Sequence, residues 1–529
     1  MTEGTDPAAG DPVAAWAASG AMALTGHADG PPLSPAAAVV PALAALADAF
    51  TRLAVQTAAP PAVVRPPASL GQPSTIASAS GSAASDERRT TSLAGSPAPS
   101  ASAESTGPGS GGDPVVDVGQ LLSGRAGLLG LSRRGQVSAN GSSRLLPAAD
   151  GWVAVNLARP SDLEAVGALV ERVVDDDPWT VLARSVERLP GADLVERAVL
   201  LGIPAAAVPA PAEVSDVGLV PVSVGVRPTP SDPGGGRAAH GTPPPAAEAG
   251  SGRAAGRATH AAPPFVLRRL GAAREDGPAP AGLVVDLSAM WAGPLCARLL
   301  GLAGLRVVKV ESTQRPDGAR AGDARFFDWL HGGHESVALD LTTAGGRAAL
   351  GQLIAAADVV IESSRPRALT QLGIDAEDVV GARPGVTWVS ITGHGRDGDA
   401  GQRVAFGDDA AVAAGLVAYD DEGRPVFCGD AIADPITGLS AAVGALTSIA
   451  AGGGHLVDVP MVDAVAATLT VPVAAAPARQ STEGIWQVAT ATGVHPVAGP
   501  QALPPAPVPA AAFGADTAAV LRALGVAPC

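Results

Sequence analysis

Three kinds of pattern alternate along the first half of the chain. Residues 12–58 repeat apolar positions at helical spacing, in "VAAWAASGAMALTG" and "PAAAVVPALAALADAFTRLA". Residues 59–112 lose that period in a Pro-, Ser- and Gly-rich run, "SASGSAASDERRTTSLAGSPAPSASAESTGPGSGG". Such a run cannot bury enough apolar surface to offset its ordering entropy, which predicts a disordered linker. Period returns at Asp113. "VVDVGQLLSGRAGLLGL" predicts a helix, and "DGWVAVNLAR" (Asp150 to Arg159) alternates like a strand. "PSDLEAVGALVERVV" predicts a helix with Ser161 as N-cap and Glu164 completing a capping box. With the helical "TVLARSVERL" and "ADLVERAVLLGIPAAAV", residues 113–226 form a small α+β unit. A second disordered linker is expected over 227–279.

From residue 280 apolar strand runs alternate with helices. "GLVVDLS", "LRVVKVES", "SVALDL", "AADVVIES" and "GVTWVSITG" are the strands. "AGPLCARLLGLAG", opened by Pro294 and closed by Gly304, and "AGGRAALGQLIAA" are among the helices. The expected fold is α/β: a Rossmann-like, doubly wound parallel sheet in a large domain over 280–470, followed by a tail over 471–529. An internal echo also runs through the chain. "WAASGAMALTGHADGPPL" (Trp16 to Leu33) resembles "VAAGLVAYDDEGRPV" (Val412 to Val426), Gly20 matching Gly415, and each is followed by an apolar helix. The chain therefore reads as parts of two copies of one domain.

Composition narrows the partners. The 529 residues carry 65 Gly and 49 Pro and only 3% aromatics, so the packed core is smaller than the length suggests. A formal charge of −16 disfavours a nucleic-acid partner, which needs clustered Lys and Arg. Cys296, Cys428 and Cys529 show no paired spacing, as expected in a reducing compartment. The stretch "MTEGTDPAAGDPVAAW" lacks a secretory pattern, and no run of 18 uninterrupted apolar residues occurs. A cytoplasmic protein with no membrane partner is expected.

Several chemistries can be weighed residue by residue. Glu311 ends the second strand of the large domain, where a ribose-binding acid would sit. The preceding turn, "SAMWAGP", lacks the G-x-G-x-x-G fingerprint, and no phosphate-binding loop or G-x-S-x-G elbow is present. His331 and His334 have ligand-like spacing without a supporting acidic or cysteine cluster, so no metal is expected. The apolar stretch "CGDAIADPITGLSAAVGAL" nevertheless keeps Asp430 and Asp434. Asp434 can be a helix N-cap with Pro435 at N1, or a nucleophile whose reactivity is raised by dry surroundings. In "FGDDAAV", Asp408, with Asp409 after it, suits a turn or helix N-cap acid.

The motifs "VVDLSAMWAGPLCARLLGLAGLRVVKVES", "SVALDLTTAGGRAALGQLIAAADVVIESSRPRALTQLGI", "PGVTWVSITGHGRDGD" and "IADPITGLSAAVGALTSIAAGGGHLVDVPMVDAVAATL" resemble, in this order, family III CoA-transferases. That group includes formyl-CoA and carnitine CoA-transferases and 2-methylacyl-CoA racemases. "AADGWVAVNLARPSDLE" and "LLGIPAAAVPAPAEV" are similar to the family's small domain, and "HPVAGPQALPPAPVPAAAFGADTAAVLRALG" to its C-terminal tail. The resemblance implies that Asp434, spaced from Gly438 and Gly444 as in the family, is a nucleophile. It would attack an acyl-CoA thioester, and the resulting anhydride would become an aspartyl-CoA thioester that passes CoA to an acceptor acid. For a racemase the resemblance implies a histidine where this chain has Asp408, leaving Asp408 as an alternative base paired with Asp434. The CoA-binding positions that carry over are Met290, Trp291, Ala292, Leu339, Thr342, Ser363, Ala368 and Gln371. Ser312, Thr342 and Gln371 stand where relatives often carry Lys or Arg; Arg315, Arg320, Arg365 and Arg367 lie close by in sequence. CoA or acyl-CoA is implied as substrate, with a carboxylic acid acceptor and no permanently bound cofactor. A degenerate, non-catalytic CoA-binding homologue is the alternative of a different class.

The small domain precedes the large one here, the reverse of the family order, as in a fusion of two incomplete copies. The first copy has no acid at the place of Asp434. The family forms interlocked dimers, which implies a homodimer or an intramolecular pseudo-dimer.

Overall fold

The structure is a computed structural model that describes residues 11–57, 114–210, 225–227, 263–275, 282–476 and 478–526. The linker expected at 59–112 lies outside them.

The N-terminal fragment forms α1 (Pro12–Ala18) and α2 (Val39–Thr57). Asp11 caps α1 by accepting from the Val13 and Ala14 N–H groups, both at 3.1 Å. In α2, Leu43, Leu46, Ala47, Phe50 and Ala54 recur at helical spacing and are buried as one stripe. By length and composition α2 is the one described helix that could cross a membrane, yet that stripe belongs to the large hydrophobic core.

The small unit follows: α3 (Val118–Leu129), β1 (Ser143–Ala148), β2 (Gly151–Asn156), α4 (Pro160–Glu164), α5 (Val166–Val170), α6 (Pro178–Val186), α7 (Gly191–Leu201) and β3 (Ala205–Ala207). Its antiparallel sheet, β1-β2-β3, sorts side chains by alternation. Leu146, Val153, Val155 and Ala205 face the unit's own helices, while Leu145, Ala154 and Ala206 pack on Val412, Val417 and Phe427 of the large domain. The N-cap expected at Ser161 is displaced. Arg159 is the cap residue, and Asp162 accepts its backbone N–H at 3.0 Å.

Two short strands, β4 (Gly225–Arg227) and β5 (Val266–Arg269), interrupt the expected second linker and its boundary. Both belong to the large sheet, β5 pairing antiparallel with its edge. Phe265 and Leu267 are buried there, so the described part of 227–279, residues 263–275, is an integral piece of the core.

The large domain then runs β6 (Leu283–Asp286), α8 (Ala292–Leu302), β7 (Arg306–Ser312), α9 (Ala324–His331), β8 (Glu335–Leu339), α10 (Ala344–Ala356), β9 (Val359–Glu362), α11 (Pro366–Thr370), α12 (Ala376–Ala382), β10 (Thr387–Thr392), α13 (Gly407–Ala414), β11 (Val417–Tyr419), β12 (Pro425–Phe427), α14 (Ala433–Ala450), β13 (His455–Pro460) and α15 (Met461–Ala466). The strand order is β4-β5-β13-β10-β9-β6-β7-β8. From β13 to β8 all neighbours are parallel, in the doubly wound order expected. One face is covered by α8 and α14, the other by α10, α12 and the C-terminal α16. The tail is folded, with β14 (Ala478–Gln480), β15 (Trp486–Thr490), β16 (Gly493–Pro496) and α16 (Thr517–Ala523).

The internal echo is structural. A left-handed glycine follows each helix: Gly20 (φ 80°), one residue beyond the α1 cap Ser19, and Gly415 (φ 93°), the cap of α13. Each is followed by a turn, His27–Gly30 and Asp420–Gly423, closed by its own hydrogen bond. The two turns meet, His27 Nε2 lying 2.8 Å from Asp420 Oδ2, and α2 packs on α14. The helix of the N-terminal fragment is thus covered by α14 of the same chain.

Phe50 is fully buried at that contact. Phe50→Ala is expected to cost roughly 3–5 kcal/mol. Urea unfolding monitored by far-UV circular dichroism measures it; an unchanged midpoint would show that α2 does not share the core of the large sheet.

Candidate active site

Parallel doubly wound sheets open a crevice where strand order reverses, outside the carboxyl ends of the strands. Here that point lies between β6 and β9. The loop after β6 holds Met290 and Trp291, and the loop after β9 begins at Ser363. Ala289 N–H donates to Ser363 Oγ at 3.2 Å and ties the two loops together. Met290 N–H donates to Asp317 Oδ1 at 3.0 Å, and Asp317 pairs with the buried Lys309 at 2.9 Å. Met290 itself adopts φ 74° and is exposed. Trp291 caps α8 and is buried; Pro294 falls at the third helical position.

α14 carries Asp434 to the same place. Its first residue is Ala433, with Ile432 as N-cap, so Asp434 is the second helical residue and not the cap that its sequence context suggests. Its carboxylate instead lies against the backbone N–H of Ala292, the first residue of α8, which favours the charged form. Gly438 permits this approach, because a Cβ there would lie 2.8 Å from Ala292 O and from Leu295. Gly407, at the start of α13, does the same from another side: its Cβ would lie 2.3 Å from Asp434 Oδ2. Asp434 therefore sits beside the N-termini of α8 and α13, where partial positive charge favours an anion. It keeps part of its surface open, whereas Asp408, Asp409 and Asp430 are buried.

Those three acids are held by the first half of the chain. Asp408 accepts from Ala431 N–H at 2.9 Å, Ser143 Oγ at 3.1 Å and Asn140 Nδ2 at 3.2 Å. Asp409 accepts from Phe406 N–H at 3.0 Å and Asn156 Nδ2 at 3.3 Å. Asp430 pairs with Arg125 of α3 at 2.6 Å and accepts from Asn140 at 3.3 Å. Arg125 also lies over the rings of Trp291 (5.1 Å) and Phe326 (5.6 Å). Ala431, between Asp430 and α14, adopts φ 43°. Of three non-glycine residues with positive φ among those described, Ala431 and Met290 flank the site, a strain that only surrounding contacts can hold.

Burial dominates the electrostatics. It pushes Asp434 up to about 7 against the opposing pull of Arg125 and the Ala292 N–H, with Asp408 and Asp430 adding repulsion. Burial, then Asp430, raises Asp408 to about 6, and burial raises Asp409 to about 8.

The positions expected to bind CoA divide into two sets. Met290, Ser363, Thr342, Ala368 and Gln371 lie at the carboxyl edge of the sheet with open surface. Trp291, Ala292 and Leu339 do not: their side chains are in the core, and the Leu339 carbonyl accepts from Thr313 N–H at 2.9 Å. Among the nearby arginines, Arg320 is consumed by Glu311 at 2.6 Å. Arg365 and Arg367 instead line an open groove of about 920 Å³ with Arg159, Arg403, Leu200 and Leu201, between α7 and the loop after β9. Burial and the like charges of Arg367, Arg159 and Arg315 push Arg365 below its usual range. His331 and His334 pack edge to face at 5.7 Å, and among the described residues no His, Cys, Asp or Glu cluster suits a metal.

Arg125, Asn140 and Ser143 escaped the sequence reading. The signal for Arg125 was a lone cation in the otherwise uncharged helix "LLSGRAGLL".

Residues 282–497 match the family described as CoA-transferase family III. A probable CoA-transferase of Mycobacterium tuberculosis is 31% identical over 232 residues, covering 40% of this chain and 29% of that protein. The succinyl-CoA–D-citramalate CoA-transferase of Chloroflexus aurantiacus is 29% identical over 199 residues, 35% of this chain and 50% of its own length. A solved CAIB/BAIF family protein from Brucella suis matches at 28% identity and a TM-score of 0.34, over 36% of this chain and 56% of that one. The chain thus spans half or less of the length of these two curated relatives, and its similarity to family III lies in the large domain and the tail.

The raised acids fix a pH dependence. A carboxyl whose folded pKa exceeds its unfolded value contributes stability below the unfolded pKa and loses it as pH rises through the folded one. For Asp408, Asp434 and Asp409 that loss begins near the unfolded value of 3.8 and is complete by about pH 6, 7 and 8 respectively. Asp409→Asn keeps an acceptor for Phe406 N–H and removes the most strongly raised of the three. Calorimetry should find its Tm at least ~2 °C above wild type at about pH 9, the two converging near about pH 4. A constant gap across that range would exclude Asp409 titration as the cause.

Proposed function

We propose that this chain, similar to family III CoA-transferases over residues 282–497, is an acyl-CoA:carboxylate CoA-transferase with Asp434 as its nucleophile. The observation that carries the reading is the setting of Asp434. It is the one acid of its cluster with open surface, beside two helix N-termini, in the crevice of a doubly wound sheet.

An Asp434 carboxylate oxygen attacks the thioester carbonyl of the donor acyl-CoA. The C–S bond breaks, CoA leaves as its thiolate, and an acyl-aspartyl anhydride remains. The thiolate then attacks the aspartyl carbonyl, the donor acid leaves as a carboxylate, and aspartyl-CoA remains. The acceptor carboxylate attacks this thioester, its C–S bond breaks, CoA leaves again as thiolate and a second anhydride forms; the thiolate then attacks the acceptor-side carbonyl, which gives the new acyl-CoA and frees Asp434 as its carboxylate. Each attack puts charge on a carbonyl oxygen, which backbone N–H groups at a helix start can stabilise. Water has to be kept out, since it would hydrolyse the anhydride.

A racemase would need a second group free to exchange a proton at C2. Asp408 is spent: three donors hold it and 3% of its surface is exposed. The transfer reading is therefore favoured, with Asp408 bracing the loop before α14. The pairing of α2 with α14, and of Asp408 and Asp430 with the small unit, supports one site assembled in one chain as a pseudo-dimer.

Asp434→Asn keeps an acceptor beside the Ala292 N–H, so the fold should survive while turnover falls at least ~10³-fold. Wild-type protein given acyl-CoA should show one CoA or acyl adduct on Asp434 by mass spectrometry. Turnover retained in the variant would reject the nucleophile, and adduct-free, inactive wild type would favour a non-catalytic CoA-binding homologue. For the groove, Arg365→Glu with Arg367→Glu should raise the KM for acyl-CoA about tenfold or more and spare kcat, because charge-assisted phosphate contacts are lost. An unchanged KM would remove both arginines from the CoA site.

A further inference from the structure

Asp434 is held at two ends, and one side chain reaches both. On its own chain segment, Asp430 lies four residues earlier, linked through the strained Ala431. Across from it, Trp291 immediately precedes Ala292, whose N–H lies against the Asp434 carboxylate. Arg125 pairs with Asp430 at 2.6 Å and lies over the Trp291 ring at 5.1 Å. Its second aromatic contact, Phe326 at 5.6 Å, packs edge to face on Trp291 at 5.2 Å. The guanidinium thus bridges the segment that carries the carboxylate and the helix start that receives it. Arg125 comes from α3, 305 residues away from Asp430.

We propose that Arg125 is a positioning residue for the transfer reaction, fixing Asp434 against the start of α8 by bridging Asp430 and Trp291. This rests on the reading of Asp434 as the nucleophile. The charged groups that act on Asp434 are Arg125 from α3, Asp408 from α13 and Asp430 from the loop before α14. Two of the three are acids, so among these charged groups Arg125 opposes burial and repulsion, with the Ala292 N–H adding to it. The protonated acid is a poor nucleophile, and burial already lifts Asp434 to about 7. Removing an opposite charge that acts on a carboxylate raises its pKa, by about 1–3 units for a partner within ~4–6 Å and by less for one further off. The acid limb of the activity profile should move up by the same amount.

The test uses full-length protein with Arg125→Met, Arg125→Lys and the double change Arg125→Met with Asp430→Asn. Two quantities are read: the pH dependence of kcat, and the Asp434 carboxyl titration by ¹³C NMR, assigned by its loss in Asp434→Asn. Arg125→Met is expected to raise both midpoints by about one unit. Arg125→Lys, which keeps the charge, should leave them near wild type. The double variant, which removes one charge of each sign, should return part of the way. Should Arg125→Met fail to fold, the Lys and double variants still decide: equal midpoints in wild type and the double variant, with Lys displaced, would overturn the proposal. A uniform fall in kcat with unmoved midpoints would also overturn it, reducing Arg125 to a structural brace. The NMR titration needs no turnover, so it separates this inference from the nucleophile reading. If Asp434→Asn stays active while the titration shifts in Arg125→Met, only the nucleophile assignment fails.

Discussion

Everything at the site depends on how closely α14 can lie on α8. Gly438 makes that contact, and no other residue fits, because a Cβ would come within 2.8 Å of the Ala292 carbonyl oxygen. One turn and a half further on, Gly444 lets the same helix settle on the sheet, where a Cβ would lie 2.6 Å from Val457. α14 is buried on nearly every side, between α8, α2 and strands β10 and β13. Such a helix has no polar face with which to orient itself, so small residues and shape set its depth. That depth brings the Asp434 carboxylate to an amide at the start of α8, and Gly407 leaves it room there.

The same burial creates an electrostatic problem. Asp408, Asp409, Asp430 and Asp434 lie in one region, and a buried carboxylate without partners is strongly disfavoured. The small unit resolves this unevenly. Asn140, Ser143, Asn156 and Arg125 give partners to Asp408, Asp409 and Asp430. Asp434 receives a single amide and the distant field of Arg125, and it keeps open surface. Asp408 and Asp430 are satisfied internally, Asp409 through one of its two oxygens, and Asp434 is left to find its partner from solution.

How far the chain discloses this by itself follows from the range of each interaction. The parallel strands were legible because strands buried on both faces read as short apolar runs. β5 was not. In "PPFVLRRL" only Phe265 and Leu267 are buried, the arginines sit at an antiparallel edge, and the surrounding Pro and Ala read as linker. Asp434 stood out through its spacing to two glycines, a local signal. Its exact place in the helix did not: the turn at Ala431 adopts a left-handed conformation that no glycine announces, and this puts the helix start one residue before the acid. Arg125 and Asn140 join the site across some 300 residues, and nothing in their immediate sequence names Asp430 or Asp408 as their partners.

That long reach bears on why the chain can be rearranged. The echoing segments pack on each other as α2 on α14 and turn on turn, so the first copy supplies a surface. The small unit attached to it supplies the donors for the acids of the second. Neither segment brings a sheet of its own to β6–β10, and the first offers no acid where α14 has Asp434. One doubly wound sheet, one small unit and two versions of the central helix are then enough to enclose one carboxylate. A second site would need another crevice and another set of donors. The N-terminal fragment carries no acid into the crevice, and its part in the arrangement is the contacts that hold α14, and with it Asp434, in place.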